Sequence, residues 1–151
     1  MTSTALHPNH DTTRTQGVSS PLVQLKIASI LTAGLGLFFV SGAHDTTDGL
    51  LRWIADLIFW PVGDPAAFSN EAQLLAAILG GVMVSWAVLI WMLTNALGHD
   101  KPQVLRQNIF LVMAIWFIID SAGSVASGGW LNAVGNVGFL AMFIVPASRL
   151  R

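Results

Sequence analysis

The chain has 151 residues, 54% of them hydrophobic and 10% charged, with a formal net charge of −1 and a mean hydropathy of +0.66. Soluble domains are about 25% charged, so this composition excludes one and points to an all-α membrane protein, a four-transmembrane-helix bundle. Near-neutral charge leaves no electrostatic footprint for nucleic acid, and zero cysteines exclude disulfides, thiolate metal sites and cysteine nucleophiles.

In chain order, residues 1–20 are polar and lack apolar periodicity, which predicts a disordered tail ahead of a transmembrane domain at 21–151. His7, His10 and Asp11 lie in that tail without the converging partners a metal site needs. A first span is expected at residues 22–43, with Lys26 close enough to one end to snorkel. Ile27 to Val40 followed by Ser41-Gly42-Ala43 also has the form of a signal peptide, whose cleavage would leave three spans. The weakly charged leader and the even number of spans favour a retained helix.

The segment before the second span predicts an amphipathic helix at about residues 48–60, lying on the membrane surface. Asp48, Arg52 and Asp56 recur at intervals of four and can pair along one face. Phe59-Trp60-Pro61 would anchor the end of this helix at the headgroups. It serves either as a lid over the bundle or as a docking surface for another membrane subunit. His44, Asp45 and Asp48 could be imagined around a divalent ion, but a helix start explains the same residues and no metal is expected.

Further spans are expected at 72–98, 109–127 and 130–145, the last ended by Pro146. Pro102 suits a helix start, and Gly128-Gly129 predicts a tight antiparallel hairpin between the last two spans. Six basic residues (Arg14, Lys26, Lys101, Arg106, Arg149 and Arg151) flank the ends on one side, against Arg52 on the other. That bias places both termini in the cytoplasm and the amphipathic helix outside.

Between Arg106 and Arg149 the one ionisable side chain is Asp120. Counting back from the Gly128-Gly129 turn puts it about 12 Å inside the membrane, where an ionised group costs at least ~2.5–3.5 kcal/mol. The hairpin register sets Asp120 opposite Asn136 or Val137, and Ser124 opposite Asn132 and Ala133. Asp120, Ser124 and Ser127 thus face Asn132 and Asn136 as two polar stripes. No Lys, Arg or His lies at that depth, so hydrogen bonds must satisfy the acid. Gly34, Gly36, Gly80, Gly81 and Gly123 read as helix-packing positions; Gly34, Gly36, Gly80 and Gly81 share one level as a narrow waist around Asp120, which Gly135 and Gly138 on the last span fit.

Other chemistry lacks support. All four histidines lie outside the spans, the glycines are not in a phosphate loop, and no serine has a base near it. Trp86, Trp91 and Trp116 read as core or lipid-facing bulk. No catalytic residue, cofactor or enzymatic activity is expected.

The layout resembles the small four-helix bacterial inner-membrane families related to DoxX. The shared features are a first span followed by a proline-containing outer segment, then Glu71 ahead of a span with paired Gly80-Gly81. Asp120-Ser121 and Gly123-Ser124 near the end of the third span complete it. The resemblance implies a bacterial inner membrane. The expected role is an accessory or interaction subunit in the lipid bilayer, joined to a membrane-protein partner or forming a homo-oligomer. The alternative is an oligomeric proton-linked transporter or permeation unit for small solutes, using Asp120.

Overall fold

The computed structural model describes residues 20–61 and 67–151, and every regular element among them is helical. The predicted tail, with His7, His10 and Arg14, lies outside the described residues, as does Asp64 of the outer segment. Four helices are long and apolar enough to cross a membrane, which makes this a multi-pass membrane protein.

Helix α1 runs Pro21–Val40 and continues through a 3-10 turn at Ser41–Ala43. Its start is set locally: the Ser20 hydroxyl accepts from the Val23 N–H at 3.3 Å, and Pro21 occupies the first turn, where its missing N–H costs nothing. Helix α2, Gly49–Ile58, follows. Helix α3, Asn70–Leu97, begins two residues before the expected span because Ser69 caps it, accepting from the Ala72 N–H at 3.3 Å, with Glu71 in the positive first turn.

Helix α4, Pro102–Ala126, begins seven residues before the predicted boundary at Ile109. Its first turns are amphipathic: Gln103, Arg106 and Gln107 are exposed while Leu105 is fully buried. Hydropathy finds the apolar core of such a helix and misses its polar entry. Helix α5, Trp130–Ser148, passes through Pro146 instead of ending there. Proline removes one helical hydrogen bond, but Pro146 and Ala147 are buried, and that packing holds the last turn in place.

The turn between α4 and α5 is a Schellman motif: the Gly129 N–H donates to the Ser124 carbonyl at 2.8 Å and the Gly128 N–H to the Val125 carbonyl at 3.1 Å. Gly128 has φ +86°, a left-handed conformation that favours glycine. Gly129 fits tightly for a different reason, since a Cβ there would lie 3.0 Å from the Ile58 side chain of α2.

α1 packs most extensively on α3, and α4 on α5; α1 also touches α5, whereas α3 and α4 barely meet. The main core sits in the half of the bundle near the termini, where Leu25 and Ala28 of α1 meet Ile90, Leu105, Ile109, Met113, Phe143 and Ala147. Buried hydroxyls inside the spans bond to their own helix: Ser29 donates to the Leu25 carbonyl, Thr32 to Ala28 and Thr94 to Ile90, at 2.8–3.0 Å. These three hydroxyls therefore need no water.

Candidate functional site

The hairpin register delivers Asp120 to α5. Asn136 Nδ2 donates to Asp120 Oδ2 at 2.5 Å and to Ser121 Oγ at 3.1 Å. One turn nearer the hairpin, Asn132 Nδ2 donates to Ser124 Oγ at 2.8 Å and to Asp120 Oδ2 at 3.2 Å. Each amide therefore gives one N–H to the same carboxylate oxygen and one to a serine. The Ser124 hydroxyl in turn donates to the Asp120 backbone carbonyl at 2.8 Å, which fixes its orientation for accepting from Asn132. Asn136 is buried and Asp120 half-buried.

Two residues depart from the expected stripes. Ser127 lies a turn outside the cluster; its hydroxyl donates to the Ser124 carbonyl at 2.9 Å and reaches neither asparagine. Ser121, absent from the predicted stripe, belongs to it. α5 lies between the rows begun by residues 120 and 121, so side chains from both rows reach it. The sequence signal was present in the adjacent Asp120-Ser121 pair, but strict i, i+4 spacing passed over it.

Asp120 Oδ2 holds both amides, while Oδ1 has no hydrogen-bond partner among the described residues. Through Oδ2 the carboxylate ties α4 to both asparagines of α5. Just beyond the cluster toward the termini, Trp86, Trp116, Phe139 and Phe143 form an aromatic group with centroids 4.9–6.2 Å apart. Trp116 precedes Asp120 by one helical turn and Phe139 follows Asn136 by about one, so a polar layer rests on an aromatic one. Trp91 takes another role, with Lys26 Nζ lying 5.5 Å from its ring centroid.

The five glycines do not form one waist. Gly36 and Gly80 meet face to face: a Cβ on Gly36 would stand 2.8 Å from the Gly80 carbonyl oxygen, and one on Gly80 would stand 2.8 Å from the Val40 backbone nitrogen. At Gly34, Gly81 and Gly123 a Cβ would meet open space. Helical geometry explains this, because residues one or two apart point roughly 100° or 200° away from each other around the axis. The close contact also joins α1 to α3, not the helices that carry Asp120.

The outer segment differs from expectation as well. Asp48 is fully buried, and Arg52 Nε lies 3.0 Å from its Oδ1 as an ion pair without hydrogen-bond alignment. Asp56 makes no ion pair among the described residues, so the predicted ladder is a single rung there. Burial follows from the turn ahead of α2, which folds back with the Thr47 hydroxyl donating to the Ser41 carbonyl at 2.6 Å. His44, Asp45 and Asp48 turn to separate partners: Thr46, Gln73 and Arg52. The apolar arc of α2 is itself divided. Leu51 packs against the bundle, while Leu50, Trp53 and Leu57 remain exposed.

The chain matches no family model, no curated protein and no solved structure.

Proposed function

We propose that this protein is a non-catalytic accessory or interaction subunit of a membrane assembly, with α4 as its contact surface. The observation that carries this reading is the sparse packing of α4. Of its most apolar stretch 11% is buried, against 22–28% for the other spans. Leu111, Ile115, Ile118 and Ile119 form an exposed stripe along it at helical spacing. Helix association in a bilayer depends on close packing, and a span braced chiefly by one hairpin neighbour has a face left to offer.

Orientation belongs to the same reading. The positive bias of the flanks supports termini in the cytoplasm, with α2 in the outer headgroup layer of a bacterial inner membrane. Exposed Leu50, Trp53 and Leu57 would face the lipid there.

The absence of native cysteine makes the test clean. Single cysteines at Leu111, Ile115 or Ile118, cross-linked in native membranes, should capture one stoichiometric neighbour, while a cysteine at Leu89 on α3 should not. Equal reaction with a lipid-soluble reagent at every site, with no protein cross-link, would sink the interaction reading.

A second reading rests on Asp120 Oδ1, which has no hydrogen-bond partner among the described residues: a proton-linked permeation unit. Asp120→Asn should then fold normally yet abolish a pH-dependent flux in proteoliposomes. If Asp120→Asn preserves every activity while Asp120→Leu lowers stability by about 1–3 kcal/mol, the carboxyl is a clasp and proton coupling is excluded.

A further inference from the structure

A groove with a volume of about 500 Å³ opens between α2 and α3. Such a volume falls within the ~300–1,000 Å³ range of ligand pockets. Among the described residues every side chain on its wall is hydrocarbon, including Ala55 and Ile58 of α2 and Ala72, Leu75, Leu79 and Val82 of α3. Its room comes from small residues on opposing walls. With leucine at Ala55 or Ala72, α2 and α3 would close on each other. Leu51 of α2 is seated against Gly42, close enough that a Cβ there would collide with it.

The length of the groove identifies its occupant. On α3 the wall extends from Ala72 to Val82, a rise of about 15 Å along the helix. It begins within the first turn of the span and stops halfway along the ~30 Å hydrocarbon thickness. We infer that the groove holds one acyl chain of a bilayer phospholipid from the leaflet on the α2 side. A partner's transmembrane helix would need a track running the full thickness. A water-borne ligand would need polar groups to orient it, and the described residues of the wall supply none. One leaflet's depth of hydrocarbon surface suits a single chain, with α2 lying across it.

The probe is phosphatidylcholine spin-labelled at carbon 5 or carbon 14 of one chain, in phosphatidylcholine vesicles containing the full-length protein. Both label positions should show a motionally restricted component beyond the first lipid shell, since the groove reaches from the interface to mid-bilayer. Ala55→Leu and Ala72→Leu fill it from opposite walls and should each reduce that component by at least half. Leu89→Phe, farther along α3 and outside the groove, should leave it unchanged. Thermal unfolding of each variant identifies any loss caused by misfolding, and agreement between the two opposed variants identifies the groove. A restricted component of the same size in the unaltered protein and in both folded leucine variants would overturn the inference. So would a disulfide between two copies bearing cysteine at Ile58, because a second copy would then cover the groove.

Discussion

The two halves of this bundle hold together by different means. Near the termini, all four spans meet in one close-packed core around Phe143, Leu25, Leu105 and Met113, each 0% exposed. Toward α2 the spans separate into two pairs. Backbone contact between Gly36 and Gly80 joins α1 to α3, and hydrogen bonds around Asp120 join α4 to α5. Lipid is as apolar as leucine, so burying leucine between spans provides no hydrophobic drive. Association must come from close approach, from packing density or from polar bonds, and here each is used in a different place. The less densely packed half is also where Asp120 keeps an open oxygen and where the apolar groove lies.

The contrast breaks most sharply at the glycine contact. Gly80→Val puts a Cβ into the Gly36 carbonyl and the Val40 backbone, neither of which can rotate away. It should cost about 3 kcal/mol or more, the upper end for overpacking. Gly81→Val, one residue along and facing open space, should change stability by less than about 1 kcal/mol. Unfolding equilibria in mixed micelles provide the comparison. Equal effects at the two positions would mean that the α1–α3 contact does not hold the pair together.

The core near the termini comes next. Phe143→Ala removes a fully buried ring that stacks against Trp86 and Phe139. In soluble cores such a change costs about 3–5 kcal/mol, part of it lost transfer from water. Within a bilayer the transfer part shrinks and the cavity part remains, so about 2–3 kcal/mol is expected. Phe110→Ala, on the exposed side of α4, should cost under 1 kcal/mol by the same micelle assay, roughly the value of a side chain with lipid already around it. A small loss at Phe143 would show that this half is not the tighter one.

These two contacts also mark how far sequence reasoning reaches. The four spans and the α4–α5 register were readable because sequence neighbours joined by a two-glycine turn have only one way to face each other. Asn132 and Asn136 could be matched to Ser124 and Asp120 by counting. Which glycines pack could not be counted, because α1 and α3 are separated by the α2 segment and no short turn fixes their relative rotation. Periodicity gives the direction a side chain points on its own helix, but not which helix stands opposite. The burial of Asp48 was hidden for a similar reason: its charge marks it as exposed, and only the fold-back at Thr47 covers it. The groove depends on three elements at once, which no local pattern reports.

The smallest expected effect tests the clasp from within. Asn136 is 6% exposed and makes the 2.5 Å bond to Asp120, whereas Asn132 is half-buried and lies 3.2 Å from the same oxygen. Asn136→Ala leaves Oδ2 with only the longer bond and should cost about 1–2 kcal/mol. Asn132→Ala leaves the Asn136 bond intact, and Ser124 keeps its own bond to the Asp120 carbonyl. Its cost should be nearer 0.6 kcal/mol, roughly the average for an interhelical hydrogen bond in a bilayer. Because both amides bond to one oxygen, their difference should vanish in an Asp120→Leu background, as a double-mutant cycle would measure. A difference that survives there would mean that Asn136 is held by packing or by Ser121, and that Asp120 is not the centre of the cluster.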